Sequence, residues 1–174
     1  KKAIMEWRKR VGEEEANKIS SKAAGRGTRV HSICEDYLNN VDIHSKKYSI
    51  IDLESFSRLR PIFDANIDNI HVQETRLYSD YLEVAGTVDC VAEYNGKLSI
   101  IDFKTSKKLK KEEWIENYFL QSTVYAMMFE AIYKIKIPQI AILITVDNEG
   151  IQKFIKPREE YVNKVIEIFT KNRR

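Results

Sequence analysis

The sequence predicts an α/β chain of the α+β kind, a central mixed β-sheet flanked by helices. Three observations point there. Asn95-Gly96 sits between two stretches of strand-like pattern, a strong signal for a two-residue hairpin. A nearly all-apolar segment, Ile140 to Val146, reads as a strand buried on both faces. Around these strands, apolar residues recur at helical spacing, as in Val30, Ile33, Cys34, Tyr37, Leu38 and Val41.

Taken in order, the first stretch from about Ala3 to Lys18 is charged and rich in helix formers. Gly25-Arg26-Gly27 is expected to break the chain, and Thr28 to cap the helix that carries the Val30 face. A further helix runs from about Leu53 to Asn69, with Pro61 disturbing its first half. From Val72 the pattern turns to strands. Val84, Gly86, Val88, Cys90 and Ala92 alternate with Ala85, Thr87, Asp89, Val91 and Glu93, and Lys97 to Lys104 returns beyond the turn. A long helix follows from about Glu112 to Lys134, then the Ile140 strand. Asp147-Asn148-Glu149-Gly150 turns into a short strand, and a helix from Arg158 to about Lys171 closes the chain. With no repeat, low-complexity tract or Pro/Gly-rich linker, one domain is expected. It would have a helical part over about 1–70 and a sheet-and-helix core over about 71–174.

Composition bounds the function classes. The chain has 174 residues, 43% hydrophobic and 32% charged, ordinary values for a globular protein. It opens at Lys1-Lys2 without Met, as a processed chain or trimmed fragment would. No apolar run is long enough to span a bilayer, so no membrane partner is expected. Cys34 and Cys90 lie far apart in apolar surroundings and read as buried free thiols of an intracellular, reducing compartment. A net charge of +3 suits nucleic acid but is too mild to argue for it alone. No Walker-type phosphate loop occurs, so these residues contain no motor.

The chemistry concentrates on the hairpin. Period two puts Asp102 and Lys104 on one face at a strand end, a carboxylate to bind a cation beside an ammonium to act on water or on developing charge. An isolated Asp-X-Lys is more often a surface ion pair. The Asn95-Gly96 turn pairs position 94 with 97, and that register carried back sets Asp89 opposite Asp102. Two opposed carboxylates repel unless a cation lies between them. His31, third in a helix capped by Thr28, would bring an imidazole at a helix N-terminus. Gln121 and Tyr125 are i, i+4 neighbours on one helix face.

Four motifs in order, Gly27-Thr28-x-x-His31, Gly86-Thr87-Val88-Asp89, Asp102-Phe103-Lys104-Thr105 and Gln121-x-x-x-Tyr125, resemble the RecB-like branch of the PD-(D/E)xK nucleases. Within that branch, Gly86 through Ser106 is similar to the hairpin of the mitochondrial genome maintenance exonucleases and their phage relatives. The resemblance covers roughly Trp7 to Phe129. It implies a restriction-endonuclease-like core. It also implies Mg2+ or Mn2+ held by His31, Asp89, Asp102 and the backbone carbonyl of Phe103, with Lys104 as the catalytic lysine. Gln121 and Tyr125 would lie beside the site, touching substrate or orienting the lysine. Glu74 matches an acidic position on the first strand, with a salt bridge to Arg76 as its alternative. Asp89 follows Gly-Thr-Val rather than Pro, as is common in this branch.

The function expected from these readings is a metal-dependent deoxyribonuclease, a single-stranded DNA exonuclease acting at ends or flaps in replication, repair or recombination. A helicase or polymerase is the expected source of single strands. The compartment would be the cytoplasm of a bacterium or phage-infected host, or a mitochondrial matrix. Arg26, Arg29, Lys107 and Lys108, with Lys110 and Lys111 behind them, are the candidate phosphate contacts. The alternatives are a catalytically idle nucleic-acid-binding domain of the same fold, and a structure- or sequence-specific endonuclease.

Overall fold

Gly12, at φ +86°, separates two helices that the sequence reads as one. The computed structural model, which describes residues 2–171, has α1 at Lys2–Val11 and α2 at Glu13–Leu38. A positive φ is cheap only without a Cβ, so this glycine is the breaker. Arg8 Nε clips Glu13 across the corner at 3.2 Å.

The break expected at Gly25-Arg26-Gly27 is absent, and α2 runs through it without interruption. Thr28 is therefore no cap. Its hydroxyl donates to the Ala24 carbonyl one turn back, at 3.2 Å. Two mid-helix glycines cost roughly 1 kcal/mol each against alanine, an amount that tertiary packing overrides. Val30, Ile33 and Cys34 supply that packing, all buried. His31 consequently sits deep in a helix rather than at its start.

Ser49 caps α3 (Ile50–Asn66) by accepting the Asp52 N–H at 3.2 Å, and the helix absorbs Pro61. The first strand begins earlier than the sequence pattern indicates. β1 spans Ile67–Ser79, with a register shift between Asp68 and Val72. β2 (Val84–Tyr94) and β3 (Lys97–Ser106) form the hairpin, Asn95 and Gly96 both at positive φ. The long helix expected from Glu112 is split into a 3-10 turn, Glu112–Trp114, and α4, Glu116–Tyr133. β4 (Gln139–Val146), β5 (Gly150–Pro157) and α5 (Glu159–Thr170) complete the chain.

The five strands lie in the order β1-β2-β3-β4-β5, antiparallel except for the parallel β3/β4 pair that α4 connects. The sheet is mixed and flanked by helices, as its alternation implies. On one side α2 and α3 bury Ile33, Cys34, Phe56, Leu59 and Phe63 against Cys90, Ile101, Phe103, Ala141 and Leu143. On the other, Val124, Ala126, Met128 and Phe129 of α4 and Val165 of α5 cover Val88, Val91 and Ile100. Interior strand β4 serves both sides: Ala141 and Leu143 face α2 and α3, while Ile140, Ile142 and Ile144 face Phe119. Among the described residues, no helix is long and apolar enough to cross a membrane.

Candidate metal centre

The site forms where β2 and β3 part. Their ladder follows the register set by the turn from Tyr94↔Lys97 to Cys90↔Ile101, one residue short of the Asp89–Asp102 pairing that register predicts. On β2, Cys90 packs under α2 while Val88 and Val91 pack under α4, so the period-two alternation breaks at Asp89. The two carboxylates are thus not squarely opposed. Squarely paired and dehydrated, they would repel, and the fork relieves this.

Phe103, just beyond the end of the ladder, needs partners for its N–H and C=O. The Asp89 carboxylate accepts the N–H at 2.9 Å, and His31 Nε2 lies 2.5 Å from the carbonyl. With Nε2–H donating to that carbonyl, Nδ1 is turned toward Asp89 Oδ1, 3.4 Å away. Glu74 on β1 completes the group. One ligand atom each from His31, Glu74 and Asp89 lie within 4.8 Å of one another. Glu74 holds φ +42° in mid-strand, a strained conformation for a residue with a Cβ. Its neighbours keep the ladder on either side, Gln73↔Cys90 and Thr75↔Val88. The sequence ranks Glu74 with substrate contacts or an Arg76 salt bridge; the structure sets its carboxylate beside His31 and Asp89.

Asp102 and Lys104 stand on the α4 side of the fork. Lys104 Nζ donates to Asp102 Oδ1 at 2.9 Å and lies 5.2 Å from the Tyr118 ring centroid. Asp102 is 3% exposed, and its Oδ2 accepts no well-directed hydrogen bond although Lys104 Nζ lies 2.8 Å away. Burial, and then the charge of Asp89, push the Asp102 carboxyl up to about 6 against the pull of Lys104. Burial and Asp89 raise Glu74 in the same way. Burial works against charge on His31, yet Asp89 and the Phe103 carbonyl hold its pKa above the ordinary value. Burial likewise opposes the Lys104 charge, and Asp102 more than offsets it. Converging carboxylates, an imidazole, a strand carbonyl and a buried carboxylate oxygen with no well-directed hydrogen bond are a donor set that fits a hard divalent cation of the Mg2+ or Mn2+ kind.

On α4, Gln121 Nε2 donates to the Tyr125 hydroxyl at 3.2 Å. The Tyr125 ring leans on Gly86 of β2 so closely that a Cβ there would lie 2.9 Å from Cε1. Arg26 and Arg29 are committed within the fold: Arg26 to Asp147 Oδ2 at 2.7 Å and Ser55 at 3.0 Å, Arg29 to Asp52 at 2.6 Å. Lys107 and Lys108 are exposed beyond β3. Cys34 and Cys90 are free and buried, and burial raises both thiols, Cys90 to about 12, so they stay protonated. Tyr118, whose ring faces the Lys104 ammonium, is a site residue that no motif marks; its one signal in the sequence is a place on the same helix face as Gln121 and Tyr125.

The sequence model of the PD-(D/E)XK nuclease superfamily matches residues 3–172. The chain belongs to that superfamily. PD-(D/E)XK nucleases generally use divalent metals, in keeping with the donor set at the fork. The chain is similar to Mitochondrial genome maintenance exonuclease 1 of Homo sapiens, 27% identical over 125 residues, or 69% of this chain and 34% of that protein. The Xenopus tropicalis protein of the same name is 30% identical over 111 residues, 62% of this chain and 32% of that one. This PD-(D/E)XK chain therefore spans about a third of the length of the curated relatives it matches. In fold it resembles the crystal structure of a "Putative exonuclease" from Eubacterium rectale. The TM-score is 0.57 at 12% identity, covering 84% of this chain and 64% of that one.

Proposed function

We propose that the chain is a divalent-metal-dependent deoxyribonuclease that hydrolyses phosphodiester bonds at single-stranded DNA ends. One observation carries the reading: His31, Glu74 and Asp89 converge at the β2–β3 fork, with the buried Asp102–Lys104 pair on the adjoining strand near enough for Asp89 to push the Asp102 carboxyl upward. His31, Asp89, Asp102 and the Phe103 carbonyl would hold Mg2+ or Mn2+, with Glu74 as a further carboxylate. When bound, the cation supplies Lewis-acid charge to the phosphate and a lowered pKa to water. Lys104, steadied by Asp102 and by the Tyr118 face, presents its ammonium where phosphate charge develops and orients the attacking water. The water oxygen bonds to phosphorus, the bond from phosphorus to the departing sugar oxygen breaks, and a proton passes to that oxygen. Gln121 and Tyr125 brace the α4 wall beside Lys104. Lys107 and Lys108 meet backbone phosphates, whereas Arg26 and Arg29 hold α2 to its surroundings.

The exonuclease names of the relatives support action at ends and on DNA. In this reading the two thiols belong to a reducing compartment, and a helicase or polymerase partner supplies single strands. The test is cleavage of labelled single-stranded DNA, linear and circular, in Mg2+ or Mn2+ and in EDTA. Linear strands should be shortened from an end, circles spared, and EDTA should stop the reaction. Lys104→Ala and Asp102→Ala should each lower turnover at least about a thousandfold with the fold retained. Wild-type turnover by either variant would sink the assignment, and cutting of circles would replace the exonuclease with an endonuclease.

A further inference from the structure

We propose that Trp114 is a nucleobase-stacking residue that grips one strand beside the cleavage site, with Lys107, Lys108 and Lys111 along that strand's phosphates. The inference rests on the nuclease reading above and adds what selects a single strand. Trp114 ends the 3-10 turn between β3 and α4 and is 60% exposed, although the next residue, Ile115, is buried. An indole in water is a large apolar surface without a packing role, and a flat ring of that kind suits the face of an unpaired base.

Its position ties it to the site. Tyr118, Gln121 and Tyr125 share one face of α4, and Trp114 stands in the 3-10 turn two residues before that helix begins. Tyr118, in the first turn of α4, carries the Lys104 ammonium over its ring. A base on Trp114 would sit along the same strand as the phosphate that meets Lys104, with Tyr118 between the two.

The surroundings match the charge of a strand. Lys107, Lys108, Lys110 and Lys111 precede Trp114, and the Lys111 ammonium already lies 5.3 Å from the indole centroid. That cation marks the ring face as accessible, and the 65% exposed Lys111 side chain is free to move aside toward a phosphate. Of the nearby acids, Glu112 is bound to Lys156 and Glu116 to Lys164, which leaves Glu113 facing Lys111 at 4.0 Å. A duplex keeps its base faces stacked on one another, so it would gain the lysines but not the indole.

The chain has two tryptophans, so Trp7→Phe leaves Trp114 as the sole indole. In that background, with Ca2+ in place of Mg2+, oligothymidine should quench the indole emission saturably. An abasic strand of equal length and charge should leave it unchanged. In cleavage assays, Trp114→Ala should raise KM for single strands about five- to a hundredfold with kcat within about twofold, and Trp114→Tyr should restore most of the loss. Emission that oligothymidine does not move, or that the abasic strand quenches equally, overturns the proposal. A Trp114→Ala loss that falls in kcat alone does the same. Should the chain cut nothing, the fluorescence titration still decides the stacking by itself, so the two readings fail separately.

Discussion

Asp89→Asn separates a carboxylate kept for a cation from one kept for the fold. In the wild type, Asp89 Oδ2 accepts the Phe103 N–H at 2.9 Å, and an asparagine oxygen can keep that bond. What the substitution removes is a negative charge 3.4 Å from His31, one that also pushes Glu74 and Asp102 upward. Relief of like-charge repulsion is worth about 0.2–1 kcal/mol, and the lost attraction to His31 offsets part of it. At about 2–4 °C per kcal/mol for a chain of this size, the variant in EDTA should melt at the wild-type temperature or up to about 4 °C higher. Mn2+ at a hundred times its Kd adds about 2.7 kcal/mol to the wild type. That is an upward shift of about 5–11 °C. The variant should lose most of this shift, and its DNA cleavage should be abolished. Thermal melts in EDTA and in Mn2+, run beside a gel assay, give all three values. Equal Mn2+ shifts in the two proteins would refute the cation role, and a variant several degrees less stable in EDTA would make Asp89 a structural residue.

Gly86→Ala places a methyl 2.9 Å from the Tyr125 ring and 3.1 Å from its hydroxyl, so the ring must shift and its bond to Gln121 is strained. Overpacking of this kind costs about 1–3 kcal/mol. We expect kcat/KM to fall about tenfold or more; unchanged kinetics would show that the Gln121–Tyr125 pair is irrelevant to the site. Gly27→Ala is the opposite case, because its methyl would meet Thr105 Oγ1 at 3.7 Å, an ordinary contact. Melting should rise by the equivalent of about 0.5–1 kcal/mol with cleavage retained, and a fall would mean that α2 lies too tight on β3 for a side chain. Asp147 is held below the usual carboxylate range, first by its hydrogen bonds from Arg26, with burial opposing. A depressed folded pKa contributes stability that is present above the unfolded value and lost as pH falls through the folded one. Asp147→Asn should therefore be less stable than wild type at pH 7, with the gap closing below about pH 4. A gap that persists to pH 2 would assign the loss to packing.

The hairpin was legible because its turn chemistry is local. Asn95-Gly96 alone sets a register that holds as far as Cys90↔Ile101. The double-sided burial of β4 was equally plain in its run of apolar residues. The fork beyond Ile101 was not legible, because the bonds made there, from the Phe103 N–H to Asp89 and between His31 and the Phe103 carbonyl, join residues far apart in the chain and have no sequence period. Glycine misled in both directions. Gly25 and Gly27 look like a break but lie in a helix held by Val30, Ile33 and Cys34, whereas Gly12 lies in a charged run with no apolar face to hold the chain straight. Exposure was hidden as well. Trp114 and Tyr118 share the spacing of a buried stripe, and only the 3-10 turn ahead of α4 leaves the indole in water.

The fork also explains why His31 must come from the middle of a long helix. Phe103 can offer its carbonyl only because β2 has left it, and a donor on a loop would fill that gap loosely. On α2 the imidazole is flanked by Val30 and Cys34, which bury the helix against the sheet, and Gly27, one turn earlier, lies over Thr105 at the end of β3. The groups at the site hang on four packed elements: His31 on α2, Glu74 on β1, Asp89 on β2, and Asp102, Phe103 and Lys104 on β3. No single segment of sequence holds them all, so the site exists only in the folded chain. Crowded acids make the empty arrangement costly, and a cation there would tie α2 to the β1-β2-β3 part of the sheet, at the point where the β2–β3 ladder ends. Loss of the cation should loosen the α2–β2 contact before it touches the α4 side, because His31 and Asp89 lose a common partner while the Asp102–Lys104 pair keeps its own.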